Sequence, residues 1–182
     1  MLELLDDHNL SDIKEVPQFE TYTIYYDGIA SPKLTHDIPG SFLANKKGFK
    51  LYVVTSPEAV LYVGITKTSF TSRLRLGHLR TTQPSKGYHG YKWLRETHPR
   101  TMHLYLLSLD TLLLQAPPGC SHEELAERLE SELVFAIRAV TGSWPVGQHE
   151  IHFHNLAEYP KLARYTTKLA QQLLLQLPLK SS

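Results

Sequence analysis

Two short runs rich in β-branched and aromatic residues, 50–54 and 59–65, most constrain the fold of this chain. Runs of this length and composition are typical of β-strands. A Ser-Pro dipeptide between them marks a turn, because proline restricts its own backbone and that of the residue before it. We therefore predict a β-hairpin with Tyr52 on its first strand and Tyr62 on its second.

Helical and extended patterns alternate along the rest of the chain. The run TYTIYY at 21–26 and the apolar run 102–109 each predict a strand. Ser121 and Glu124 match the S-x-x-E capping box, which predicts a helix from there to residue 140. Other helices are predicted from residue 69, over 91–97 and over 156–177. This order predicts an α+β fold in which a small antiparallel or mixed sheet of about three strands is flanked by helices.

A length of 182 residues suits one compact core with a short appendage. Residues 1–48 are expected to form an N-terminal extension packed on the core, 49–156 the core itself, and 157–182 a C-terminal helix. The leucines of the last helix favour packing on the core, and a homodimer contact is the alternative.

The composition indicates in which cellular compartment we expect the protein. A hydrophobic fraction of 42% with 20% charged residues argues against a disordered chain. No apolar run approaches the roughly 18 to 20 residues that a membrane helix needs, so we expect no membrane association. Cys120 is the only cysteine, which excludes an intrachain disulfide and suits a reducing compartment. We predict a cytoplasmic protein.

Charge is unevenly distributed along the sequence. Residues 61–100 contain eight lysines or arginines and one acid, a net charge of +7, so the remainder carries −6 although the whole chain has +1. Concentrated positive charge is typical of nucleic-acid binding, and a solvated basic face is the alternative. Within this region the residues expected to contact nucleic acid are Lys67, Arg75, Lys86, Tyr88 and Lys92.

Several motifs occur together in one order. The hairpin carries Leu51-Tyr52-Val53 and Tyr62-Val63-Gly64, Arg73 follows on the next predicted helix, and a later helix contains Leu129-Glu130 with Leu133-Val134. In this order they resemble the GIY-YIG nuclease family over roughly residues 50–155, well over half the chain. The resemblance implies a magnesium-dependent endonuclease acting on DNA.

The resemblance also implies roles for the tyrosines and the arginine. Tyr52 would be the base or would orient the attacking water, and Tyr62 would polarise Tyr52 or contact the phosphate. Arg73 would grip two phosphate oxygens with its planar fork. Arg73 lies nine residues after Gly64 and His78 five after Arg73, each one residue more than is usual in the family. Arg75 therefore remains a rival, and His78 is a candidate second base or phosphate contact.

A helix carboxylate would hold the metal. By resemblance Glu130 binds Mg²⁺ or Mn²⁺, because Leu133 and Val134 follow it at the expected spacing, and Glu132 is the alternative. Magnesium prefers oxygen ligands and keeps several waters, so one carboxylate plus a substrate phosphate can form its site. Asn155 would brace the site or touch the phosphate, although it could equally cap the last helix.

Three histidines stand close together in the string HEIHFH at 149–154. Alternation in an extended segment would place His152 and His154 on one face, where they could share a transition metal. Histidines that face DNA or are satisfied by hydrogen bonds are the other interpretation. Taken together, the patterns predict a single-metal DNA endonuclease. The alternative is a nucleic-acid-binding module with a degenerate nuclease site.

Overall fold

The computed structural model of the protein describes residues 16–27, 30–36, 42–81, 93–94, 100–114, 116, 118–154 and 157–179. The strands are β1 Glu20–Tyr26, β2 Lys33–His36, β3 Lys50–Thr55, β4 Val60–Thr66 and β5 Arg100–Ser108. The α-helices are α1 Phe70–Thr81, α2 Asp110–Leu113, α3 His122–Thr141 and α4 Pro160–Leu174, and a single 3₁₀ turn spans Leu43–Asn45.

Within these described residues, five strands form one sheet in the order β2-β1-β5-β3-β4. All its neighbouring strands run antiparallel. The predicted hairpin is confirmed, with Tyr52 of β3 directly opposite Gly64 of β4. The other side of β3 pairs with β5, which places β4 at one edge of the sheet.

The α+β class is confirmed, but the prediction of about three strands is wrong, since the described residues contain five. Strand β1 is an inner strand because it pairs with β5 along its whole length as well as with β2. Strand β2 has the sequence KLTH, with no apolar alternation, and its pairing with β1 alone makes it a strand. Residues 20–26 and 33–36, assigned to the N-terminal extension from sequence, thus lie in the same sheet as the hairpin.

The sheet is covered on both faces. Leu51 and Val53 of β3 pack in a core with α3 and α4, whereas Tyr52 and Val54 pack in a second core that contains Phe70 of α1. All six residues of β3 are buried for this reason. Edge strand β4 therefore lies between α1 on one face and α3 on the other.

Helix α3 begins and ends as its sequence predicts. The Ser121 hydroxyl accepts a hydrogen bond from the Glu124 amide, and the Glu124 carboxylate accepts one from the Ser121 amide. Gly142 ends the helix in the left-handed conformation, at φ 73°, where glycine has no side-chain clash. The predicted apolar face, Leu125, Leu129, Leu133 and Ile137, is fully buried. These four residues pack in the same core as Leu51 and Val53 of β3.

Among the helices in the described part of the chain, none has both the length and the apolar character needed to cross a membrane.

Candidate functional site

A cavity of about 520 Å³ opens at the β4 edge of the sheet. Strand β4, the start of α1, helix α3 and the segment 147–152 contribute to its wall. Polar and charged side chains dominate this wall: Tyr62, Thr66, Lys67, Thr68, Arg73, Glu123, Glu127, Glu130, His149, Glu150 and His152. Because α1 and α3 cover opposite faces of the sheet, the edge strand is where side chains from both helices can meet.

Three of the residues predicted to act together line this cavity. Tyr62 comes from β4, Arg73 from α1 and Glu130 from α3. These residues are 11 and 57 positions apart in sequence, so tertiary packing brings them together. Lys67, predicted to contact nucleic acid, also lines the cavity and forms an ion pair with Glu123 at 2.9 Å.

The two tyrosines occupy different depths. Tyr52 is 1% exposed and lies behind Tyr62, with the ring centroids 5.9 Å apart and the planes at 28°. The Tyr52 ring also contacts the Phe70 ring, with 5.1 Å between the ring centroids. Tyr62 is thus the tyrosine at the cavity wall, and Tyr52 supports it from the core.

Gly64 makes this arrangement of tyrosines possible. A Cβ atom on Gly64 would lie 2.6 Å from the Tyr52 hydroxyl oxygen and 2.6 Å from Cε1 of Tyr62. Real Cβ contacts are not that short, so the rings can approach this backbone only because residue 64 has no side chain. The Tyr-Val-Gly sequence on β4 is therefore a packing requirement of the tyrosine pair.

Helix α1 sends its polar side chains in different directions. Arg73 lines the cavity, whereas Arg75 lines a separate cavity with Tyr22 and His36. His78 is buried and packs edge-on against Tyr26, at 5.6 Å between ring centroids. An α-helix turns by about 100° per residue, so positions 73 and 75 point about 160° apart and positions 73 and 78 about 140° apart. One helix therefore cannot present all three of these side chains to the same cavity.

Glu130 is a buried carboxyl group, 8% exposed, at the wall of the cavity. Burial raises its pKa to about 8, and the neighbouring Glu127 carboxylate contributes to the rise. The Arg73 guanidinium and a hydrogen bond with the Gln148 side chain oppose that rise in pKa. Glu132, the alternative metal ligand, instead forms an ion pair with Arg128 on the same helix and is not among the residues of the cavity wall.

Several residues of the cavity were not predicted to act there. Glu123 and Glu127 stand four residues apart on α3, and Glu130 follows three later, which places all three on one helical face. That spacing was a readable signal. No sequence signal indicated Gln148. Its side-chain oxygen accepts a hydrogen bond from the Val63 amide at 3.2 Å, and its amide group donates one to the Glu150 carbonyl at 3.0 Å.

The three histidines of residues 149–154 do not all have the same surroundings. His149 and His152 line the cavity, whereas His154 contacts the Glu127 carboxylate. Across the described ranges, no group of three or more histidine, cysteine or acidic side chains is arranged to hold a metal ion. Of the other predicted site residues, Lys86, Tyr88, Lys92 and Asn155 lie outside the described residues.

We expect the raised pKa of Glu130 to make stability depend on pH. Folded Glu130 keeps its proton up to about pH 8, whereas the unfolded side chain loses it near 4.5. Between these values the folded state binds more protons, so the free energy of unfolding falls as pH rises, by on the order of 4 kcal/mol. Urea unfolding in EDTA at several pH values, compared with Glu130→Gln, measures this slope. If the free energy of unfolding changed with pH in the same way in both proteins, Glu130 would not be the source of the pH dependence.

Comparison of the chain with protein-family models, curated proteins and solved structures finds no match.

Proposed function

We propose that this protein is a divalent-metal-dependent endonuclease that hydrolyses phosphodiester bonds of DNA. The observation that carries the proposal is the meeting of Tyr62, Arg73 and Glu130 at one cavity. Phosphodiester hydrolysis needs a positioned water and stabilisation of the negative charge that develops in the transition state. A hydroxyl, a guanidinium and a carboxyl group at one cavity meet these needs.

Arg73 has the clearest role in this proposal. Its planar guanidinium binds two oxygens of the scissile phosphate and stabilises the developing charge. Lys67 adds a second cation at the same cavity, and a bound phosphate competes with Glu123 for it. Both lysine and glutamate are about half exposed, so their ion pair is weak enough to exchange.

Tyr62 holds or deprotonates the attacking water, and Tyr52 keeps the Tyr62 ring in place. The pKa of a free tyrosine is near 10, so the base role requires nearby positive charge to lower it, and Arg73 lies at the same cavity. Stacking on Tyr52 restricts the motion of the Tyr62 ring. The pair thus provides a rigid wall for the water.

Glu130 would hold Mg²⁺ or Mn²⁺. Magnesium is commonly bound by one or two carboxylates and retains waters, and a polar cavity of about 520 Å³ has room for both the ion and its waters. A bound divalent ion supplies charge neutralisation at the phosphate. Glu130 must lose its proton to bind a cation, so we expect metal affinity to rise with pH up to about 8. We place this activity in the cytoplasm, where a chain with one cysteine is suited to reducing conditions.

The test is cleavage of supercoiled plasmid DNA with Mg²⁺, Mn²⁺ or EDTA. We expect nicked or linear product with either metal and none in EDTA. Arg73→Ala should lower the rate at saturating DNA roughly 100-fold. Arg75→Ala is the matched control on the same helix, and its rate at saturating DNA should stay within roughly twofold of the native rate. If the protein bound DNA but did not cleave it under any metal condition, the endonuclease proposal would be contradicted and a non-catalytic nucleic-acid-binding module would be favoured.

A further inference from the structure

Three exposed aromatic side chains form a continuous surface beside the cavity. Phe135 of α3 lies 5.3 Å from Trp144 and 5.3 Å from Phe153, measured between ring centroids. Their exposed fractions are 40%, 38% and 61%. The Arg138 guanidinium lies over the Trp144 ring, 4.0 Å from its centroid. We call Phe135, Arg138, Trp144 and Phe153 the aromatic surface.

The backbone that carries Trp144 and Phe153 is anchored to the sheet. The Val146 amide donates to the Val60 carbonyl at 3.0 Å, and the Gly147 amide donates to the Leu61 carbonyl at 2.7 Å. The Arg128 guanidinium also donates to the His154 carbonyl at 3.2 Å. A surface held in this way presents its rings without a large ordering cost on binding.

The loop that carries Trp144 and Phe153 also contributes to the cavity wall. Gly147, His149, Glu150 and His152 line the cavity, and the same loop begins after Trp144 and reaches Phe153 directly after His152. Two of the exposed rings and part of the cavity wall therefore belong to one anchored loop. These rings remain partly exposed in the folded chain, and a patch of exposed apolar side chains in mutual contact is typical of a binding site.

We propose that the aromatic surface binds unpaired bases of a nucleic-acid strand, so that the substrate is single-stranded or locally opened beside the cleaved bond. This inference rests on the proposed function and specifies its substrate. Base faces stack on aromatic rings regardless of sequence, and arginine adds a charged contact to the backbone. In a duplex the bases are stacked inside the helix and cannot reach these rings.

Charge favours a nucleic-acid strand over a second protein chain as the occupant. The one charged member of the aromatic surface is Arg138, and its guanidinium lies on the Trp144 face while remaining exposed. A nucleotide offers both groups that this pair recognises, a flat base for the ring and a phosphate for the guanidinium. The cavity that the same loop lines contains two further cations, Arg73 and Lys67, among four carboxyl groups.

Binding of a labelled oligothymidylate of about ten nucleotides, measured by fluorescence anisotropy in EDTA, tests the proposal without cleavage. We expect Trp144→Ala to weaken binding roughly 5- to 150-fold, Trp144→Tyr to retain most of the affinity, and duplex DNA of the same length to bind more weakly. Leu175→Ala removes another exposed apolar side chain, 84% exposed near the end of α4, and should not change affinity.

Native affinity in Trp144→Ala, with unchanged circular dichroism, would overturn the proposal. A dimer that sedimentation detects and Trp144→Ala disrupts, with oligonucleotide affinity unchanged, would overturn it in favour of a second copy of the chain. Because binding is measured in EDTA, a Trp144-dependent affinity supports the surface even if plasmid cleavage is never observed. Conversely, plasmid cleavage by the native protein together with unchanged oligonucleotide affinity in Trp144→Ala would overturn the base-binding proposal and leave the proposed hydrolase intact.

Discussion

Glu130→Gln is expected to abolish metal-dependent DNA cleavage while leaving the protein folded. Glutamine has nearly the shape of the protonated glutamate and keeps a hydrogen-bonding group for Gln148, but it cannot become the anion that binds a divalent cation. We expect the cleavage rate to fall roughly 100- to 1000-fold. The free energy of unfolding near pH 8 should not fall, because the variant no longer has a carboxyl group to ionise in the core.

Glu132→Gln is the matched control for this prediction. It makes the same chemical change on the same helix, two residues away, but Glu132 pairs with Arg128 outside the cavity wall. Both partners are only partly exposed, so the loss of this pair should cost about 1 to 3 kcal/mol of stability, and the cleavage rate should stay near native. Binding of Mn²⁺, followed by electron paramagnetic resonance, gives a readout independent of activity. If Glu132→Gln lost Mn²⁺ binding and Glu130→Gln retained it, the metal ligand would be Glu132 and not Glu130.

Gly64→Ala is expected to have the second largest effect, on stability and activity together. The added methyl group would meet both tyrosine rings at 2.6 Å, so at least one ring must leave its position. Both rings are packed, with Tyr52 fully buried against Phe70, and overpacking of this kind costs about 1 to 3 kcal/mol. Urea unfolding measures the stability loss, and plasmid cleavage should fall because Tyr62 forms the cavity wall.

A double-mutant cycle with Tyr52→Leu tests the cause of that loss. Removing the Tyr52 ring abolishes one of the two clashes and opens space into which the Tyr62 ring can move, so the double variant should be more stable than the sum of the two single losses by about 0.5 to 3 kcal/mol. Strict additivity would show that the strain does not arise from this contact. If the single variant Gly64→Ala were as stable as the native protein, the tyrosine pair would not require a glycine at position 64.

Much of the local structure could be predicted from sequence because its causes are local. The capping box of α3 requires only Ser121 and Glu124, three residues apart, and Gly142 ends the helix through its own backbone freedom. The β3 to β4 hairpin follows from two apolar runs and a turn. In contrast, β2 was not predicted, because its four residues have no apolar pattern and become a strand only by pairing with β1.

The candidate site shows the same division. Sequence motifs pointed to Tyr62, Arg73 and Glu130, and all three line one cavity. The motifs favoured Arg73 and Glu130 but did not exclude Arg75 and Glu132, since the members of each pair differ in the direction of a side chain on a helix packed against the sheet. They could not find Gln148, whose partners Val63 and Glu130 are far from it in sequence.

The sequence by itself determined where α3 begins and ends and where the hairpin lies, because caps, turns and apolar periodicity act over a few neighbouring residues. Only the tertiary structure decided that β4 lies at an edge of the sheet between α1 and α3, so that side chains from separate elements share a cavity. It also decided that Glu130 is buried and that its pKa rises to about 8. Burial and charge proximity depend on what packs around a group, which its position in the sequence does not specify.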